Sequence, residues 1–451
     1  MCALILRVNS GFSRHTFNFF GAYALVFLLS SDNLAEQSPI EAHMLKRIRI
    51  RNFLSLKDID LQLSGRNVLV GPNMSGKSNL MEAFKFIQEA ASRQTTNNMT
   101  PLQQALSNRG GFGEVVWRGQ SEGPIEFEIV AELAEAPAKE LKSYDYQASI
   151  GLNREYGHPE VQSERLIVTS AGKSETILEN TGGKLRMPAS PGFGEGPQQT
   201  LNLALELTGR FPHSKGSSFW NFVENWRFYH LVPAIMRRSN PPSWESYLSE
   251  HGENLSVWLL TLQNHPEEFH KIEQACRDVL SGLAEILFQP VEPPKEPIAQ
   301  GATSFSYSTE SSKISVGVSE THFKKPTSIN RMSDGELAFL GLMSLILAPA
   351  DLSPPLLCIE EPENYLHPKL VEVLVELLNQ RQRETGAPQV IATTHSPLLV
   401  DKLSIDDLII VQKEQGATKF SRASSKKRLK KLLSRKEVSL GDLWYSGALA
   451  S

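Results

Sequence analysis

"NVLVGPNMSGKSNL" (residues 67–80) decides how this chain is read. Asn67 to Val70 make a short apolar run, the mark of a buried strand. A glycine-rich loop follows at once. Leu80, Ala83, Phe84 and Ile87 then recur at helical spacing. Strand, glycine loop and helix form the setting in which G-x-x-x-x-G-K-[ST] binds phosphate, matched here by Gly71, Gly76, Lys77 and Ser78. The glycines let backbone N–H groups wrap the phosphates, Lys77 reaches the β/γ oxygens and the Ser78 hydroxyl takes Mg²⁺. The expected ATP contacts are therefore Gly71, Pro72, Asn73, Met74, Ser75, Gly76, Lys77, Ser78 and Asn79. A solvated glycine turn is the alternative, and it does not explain the flanking strand and helix.

Outward from the loop, "KRIRIRNF" sets Arg47, Arg49 and Arg51 against Ile48 and Ile50, a strand with one basic face. "DIDLQL" alternates again, and so do "PIEFEIVAEL" (124–133), "YDYQASI" (144–150) and "ERLIV" (164–168), expected as antiparallel strands. Residues 182–199 are rich in Gly and Pro and read as a loop. "NLSVWLLTLQN" and "FHKIEQACRDVLSGLAEIL" read as helices, "PVEPPKEPIAQGATS" as a linker and "KISVGV" as a strand. From residue 333 helices and strands alternate. The domain plan is an extension over 1–43, a lobe over 44–185, a helical and linker insertion over 186–328, and a second lobe over 329–451.

The 451 residues are 40% hydrophobic and 21% charged, an ordinary globular composition with room for a sizeable core. A net charge of -4 argues neither for nor against nucleic acid. Cys2, Cys276 and Cys358 are far apart, odd in number and without CxxC spacing, so neither a disulfide framework nor a zinc site is suggested, which fits a reducing cytosol. "FFGAYALVFLLSS" (19–31) is too short to span a bilayer comfortably and looks like a secretory signal. Three readings stand: an upstream extension ahead of Met44, a signal, or a membrane anchor. A phosphate loop needs ATP, which secreted compartments lack.

Three further segments carry chemistry. In "PLLCIEEPENYLHP" (355–368) a buried strand ends in Glu360 and Glu361. Carboxylates at such a place are costly unless they meet a cation or move a proton. Glu360 would complete the Mg²⁺ shell with Ser78, and Glu361 would polarise the attacking water. "QVIATTHSPLL" (389–399) places His395 at a strand's C-terminal edge, where open α/β sheets bind ligands. "NRMSDGELAFLGLMSLILA" (330–348) begins a helix with Ser333, Asp334, Gly335 and Glu336. That start reads either as a capping box or as an anion-binding helix terminus.

In order, "GPNMSGKSNLMEA", "SDGE", "EEPENYLHP" and "THSP" resemble the ABC-class ATPase heads of the RecF, SMC and overcoming-lysogenization-defect groups. The resemblance is specific over roughly 45–90 and 329–400 and thin between. It implies an α/β P-loop fold, a mixed sheet flanked by helices with an antiparallel β subdomain. It also implies ATP–Mg²⁺ at Lys77 and Ser78, Glu361 as the catalytic base and His395 as the switch histidine. In such heads two copies bind face to face, and Ser333 and Gly335 of one close over the γ-phosphate held by the other. Glu360 departs from the usual Asp, and Leu54 stands where a basic residue is common. Gln103 and Gln104 are candidates for the metal-sensing glutamine, a surface helix being the alternative.

Too few residues separate Ser78 from Ser333 for SMC coiled coils, and no nuclease-like acidic cluster follows His395. What remains resembles compact RecF-like bacterial ATPases of the AAA family. The implied role is an ATP-driven dimer acting in DNA repair or genome defence, or a regulatory module controlling a separately encoded effector such as a nuclease or toxin. "KKRLKKLLSRK" (426–436) offers Lys426, Lys427, Arg428, Lys430 and Lys431 to phosphates, or is a solvated helix. Arg237 and Arg238 stand beside a proline turn with the same two readings. "LGDLWYSG" (440–447) reads as a closing helix anchored by Trp444.

Overall fold

The computed structural model describes residues 43–93, 99–118, 123–135, 140–153, 155–188, 196–197, 201–210, 214–241, 243–280, 282–291, 313–384, 386–423 and 439–446. The expectations for residues 1–42 and the basic run 426–436 lie outside these. The described residues all fall in one compact unit.

Among the described residues seventeen strands make three sheets. In chain order they begin β1 (His43–Phe53), β2 (Leu56–Gln62), β3 (Arg66–Val70), β4 (Ile125–Glu135) and β5 (Glu140–Leu152). Next come β6 (Pro159–Ser170), β7 (Lys173–Thr181), β8 (Lys184–Arg186), β9 (Gly196–Pro197), β10 (Arg227–Tyr229) and β11 (Leu283–Val291). The last are β12 (Lys313–Glu320), β13 (Thr327–Ser328), β14 (Leu356–Glu360), β15 (Gln389–Thr394), β16 (Leu408–Glu414) and β17 (Ala417–Arg422).

The central sheet runs β10-β14-β15-β3-β16-β17. All neighbours pair parallel except β16 and β17. Its inner strands β14, β15 and β3, with the first half of β16, are buried on both faces and read as short, mainly apolar runs, while the edge strands β10 and β17 carry Arg227, Lys419 and Arg422. Successive residues point to opposite sides. Leu69, Leu356, Cys358, Ile391, Ile409 and Val411 enter one core, and Val68, Val70, Leu357, Ile359, Val390 and Ile410 the other. The sheet is thus the wall between two cores.

Over the first face lies helix α1 (Lys77–Ala90) with the antiparallel sheet β2-β1-β4-β5-β6-β7-β8-β9. Ile48 and Ile50 of β1 are fully buried. The opposite face carries the alternating arginines, which meet acids on both neighbouring strands. Arg47 pairs with Asp60 at 2.6 Å, Arg49 with Asp58 at 3.3 Å and Arg51 with Glu126 at 2.8 Å. The expected basic face is therefore a neutralised ladder, and Arg47 holds Asp60 below the usual carboxylate range.

Over the second face lie α2 (Leu255–Leu262), α3 (Pro266–Val279), α4 (Asp334–Ile346) and α5 (Pro368–Arg381), with the small sheet β11-β12-β13. Helix α4 is buried from Leu337 to Ile346 without a polar side, as a helix apolar all round must be. Two expectations change. "LAEIL" does not extend α3: the chain turns extended at Leu280, Gly282 takes φ +91°, and β11 pairs with β12. The segment 186–328, expected as an insertion, also supplies β10 to the central sheet beside β14.

Candidate functional site

β14, β15 and β3 lie side by side and parallel, so their C-terminal ends share one edge of the sheet. Glu360 is level with Thr393 on β15, and Thr394 is level with Val70 on β3. One edge therefore gathers the start of the glycine loop, the paired carboxylates and His395. The edge of an open parallel sheet is where ligands bind in this class of fold.

The loop from Gly71 turns into α1 at Gly76, which has φ +105° and leaves no room for a side chain. A Cβ there would sit 2.0 Å from the Thr418 hydroxyl and 2.9 Å from that of Ser55. One on Gly71 would meet the Val411 carbonyl at 2.4 Å. Lys77 is buried and donates from Nζ to the carbonyls of Gly71 at 2.7 Å and Pro72 at 3.1 Å. Burial pulls its pKa down against the raising charges of Glu361, Glu363 and Glu360. Those four groups thus share one electrostatic site. Asn73 and Met74 are exposed at the loop's tip, Met74 with φ +65°.

The loop is braced from behind by residues that sequence reasoning did not assign. Thr418 on β17 donates to the Ser75 carbonyl at 3.0 Å and shares a 2.6 Å hydrogen bond with Ser55. Asn79, expected at the nucleotide, donates from its side chain to Ser55 Oγ at 2.6 Å.

Opposite the loop, Ser78 Oγ donates to Glu360 Oε2 at 3.0 Å. Glu361 adopts φ +46°, a left-handed conformation that a residue with a Cβ takes only at a cost. Its amide donates to the Thr393 carbonyl at 3.0 Å. Its carboxylate receives Asn364 Nδ2 at 2.9 Å and meets His395 Nδ1 at 3.1 Å. Burial pushes the Glu361 carboxyl up, but Asn364, His395 and Lys77 outweigh it and hold it below its ordinary value. Glu363 behaves oppositely, burial raising it. Its Oε1 accepts from the Thr394 hydroxyl and the His395 amide, while among the described residues its buried Oε2 meets no hydrogen-bond partner.

Ser333 N-caps α4 in a full capping box: Glu336 N donates to its hydroxyl at 3.3 Å, and its own N–H donates to Glu336 Oε2 at 2.6 Å. A Cβ on Gly335 would lie 2.8 Å from the Tyr365 carbonyl, so this turn packs directly on the segment after Glu361. Arg237, one of the two arginines beside the proline turn, donates to the Met332 carbonyl and to Asp334, each at 2.7 Å. Among the described residues no hydrogen bond or ion pair joins Ser333–Glu336 to Gly71–Asn79. Gln103 is spent in the cap of the Pro101–Ser107 helix, and Gln104 donates to Asn108 at 2.7 Å. That matches the surface-helix alternative for both.

The oxygens that meet between loop and strand fit a nucleotide's metal. Ser78 Oγ and Glu360 Oε2 are hard donors already in contact, and Mg²⁺ asks a protein for one or two such ligands beside phosphates and water. Lys77 uses two of its three donors on loop carbonyls, a geometry a phosphate oxygen can take over. Among the described residues no larger cluster of His, Cys, Asp and Glu is built to hold a metal by itself.

A family model described as "AAA domain, putative AbiEii toxin, Type IV TA system" matches residues 66–401. The DNA replication and repair protein RecF of Listeria welshimeri is 32% identical over 108 residues, 24% of this chain and 29% of that protein. RecF of Listeria monocytogenes is 30% identical over the same shares. The match thus spans 29% of the length of these curated relatives. Among solved structures, an SMC head bound to the C-winged helix domain of ScpA is 14% identical with a TM-score of 0.48, over 84% of this chain and 96% of that one. The SMC head domain from Thermotoga maritima is 15% identical with a TM-score of 0.41, over 84% and 98%.

Proposed function

The chain belongs to the AAA-domain family whose model spans residues 66–401, and on that premise we propose that it binds ATP–Mg²⁺ on the β3–α1 loop and hydrolyses it as a dimer. The observation that carries this reading is the single sheet edge on which Ser78 touches Glu360 and Glu361 touches His395. Loop N–H groups from Gly71 to Ser78 hold the phosphates, and Lys77 neutralises the β/γ oxygens. Ser78 and Glu360 hold the metal, which when bound screens the charge that develops on the phosphates. Glu361, kept ionised by Asn364, His395 and Lys77, accepts the proton of the attacking water. His395 offers its remaining ring nitrogen to the γ-phosphate.

The Ser333–Glu336 turn makes no bond to its own chain's loop, which supports its service to a second copy. There its N–H groups would face the partner's γ-phosphate without bringing a cation. Hydrolysis is then slow because it waits for two copies to close. The RecF likeness supports a role on DNA in repair or genome defence, and the need for ATP supports a cytoplasmic setting, as do the buried free thiols of Cys276 and Cys358. The family description also names a toxin–antitoxin system, which favours as second reading a module that controls a separately encoded effector.

Phosphate release from the purified protein tests the enzyme reading. Glu361→Gln should lose roughly 10²-fold or more in turnover and keep its ATP affinity, whereas Lys77→Ala should lose affinity. A wild-type protein that binds no nucleotide contradicts the proposal.

A further inference from the structure

His395 is gripped at every polar atom but one. Its amide donates to Glu363 Oε1 at 3.3 Å, and its Nδ1 meets Glu361 at 3.1 Å. Its carbonyl accepts from the indole N–H of Trp444 at 3.1 Å. Trp444 belongs to a short helix, Leu440–Tyr445, that no part of the proposed cycle uses. That helix is seated firmly for its length. Leu440 and Leu443 are buried in the second core, and the Gly441 amide donates to Asp401 on the helix that follows His395. A Cβ on Gly441 would lie 2.6 Å from both Asp401 Oδ2 and the Pro397 carbonyl, so the two helices are in backbone contact.

From this we infer that the Leu440–Tyr445 helix braces the switch histidine, with Trp444 as a positioning residue for His395. His395 ends a strand and starts a turn, and a turn carbonyl left to water leaves the peptide plane free to rotate. The indole bond holds the 395–396 peptide plane at its carbonyl while the Ser396 amide, donating to Thr394 Oγ1 at 3.0 Å, holds it at its N–H, and Glu363 holds the preceding plane through the His395 amide. With both ends held, Glu361 needs only one hydrogen bond to set the ring. Displacing the helix therefore relaxes the γ-phosphate contact without touching the loop that binds ATP. The consequence is a site where hydrolysis is controlled separately from binding.

The inference rests on the ATPase reading, and the test separates the two. Trp444→Phe removes the N–H and keeps the ring. Gly441→Val pushes the helix, and the indole with it, off Asp401 and His395 while Trp444 itself is unsubstituted. Tyr445→Ala, an exposed neighbour, is the control. Hydrogen–deuterium exchange over residues 389–401 reports the brace whether or not ATP is turned over. It should quicken in the first two variants and not in the control, with exchange over Leu356–Glu360 unchanged. In steady-state assays the same two variants should lower kcat, by about fivefold for the loss of one hydrogen bond, with KM for ATP unchanged. Unchanged exchange, or quickened exchange with full kcat, overturns the inference. A loss of kcat, ATP affinity and melting temperature together overturns it too, since that marks a merely structural helix. If the wild type hydrolyses nothing, the function proposal fails, and the exchange result still decides whether the brace exists.

Discussion

Gly76 shows how one residue joins the loop's shape to its chemistry. It sits at φ +105° with Thr418 and Ser55 packed where a side chain would go. Gly76→Ala adds a strained backbone and a clash, together costing about 1–3 kcal/mol. A lowered melting temperature with no measurable ATP affinity is the expected result. Unchanged nucleotide binding would show that the loop does not need this geometry. The glycines, Lys77 and Ser78 were legible from sequence because the motif is local and every member lies within eight positions. Thr418 was not, because it reaches Ser75 across 343 residues and its type alone says nothing. That Asn79 Nδ2 bonds Ser55 was hidden for the related reason that Ser55 belongs to another element. Glu360 and Glu361 were legible as a pair at a strand end. What separates them is their contacts, Glu360 with Ser78 and Glu361 with His395, and the separate roles proposed for them rest on these.

At the scale of elements, a buried carboxylate ties the antiparallel sheet to the segment packed on it. Glu164 on β6 accepts from Tyr146 OH at 2.9 Å, from the Leu205 amide at 2.8 Å and from the Ala204 amide at 2.5 Å. Burial still dominates these bonds and raises its pKa to about 7 from an ordinary 4.5. Between those values the folded state binds more protons than the unfolded one. Stability therefore falls as pH rises through that window and is flat above it. The full span is worth at most roughly 3 kcal/mol. Glu164→Gln should abolish the slope and be the more stable form at pH 8, as read by urea unfolding at pH 5.5 and 8. A variant whose stability declines with pH as the wild type's does would refute this. Alternation identified β1, β2, β4, β5 and β6, because a half-buried strand repeats every second residue. It failed at "LAEIL", where an apolar stretch after a helix suits either period and the Ser-Gly pair at 281–282 was the better guide.

At the scale of the molecule the central sheet divides two cores and brings the glycine loop, Glu360, Glu361 and His395 to one edge, so the proposed chemistry would lie on a platform of packed strands. The order β14-β15-β3 was not legible in the sequence, since pairing between distant strands leaves no local trace. β10 was hidden for the same reason inside a stretch expected as an insertion. The platform nevertheless leaves Ser333–Glu336 without a bond to the loop of its own chain, and a second copy is the proposed remedy. Function would then depend on assembly, and the solution mass of Glu361→Gln by light scattering, with and without ATP–Mg²⁺, decides whether it does. Removing the base while keeping the nucleotide site should trap the closed pair. The account predicts a doubling of mass that depends on ATP and that Ser333→Arg abolishes. A mass that ignores ATP while ATP is demonstrably bound would contradict it.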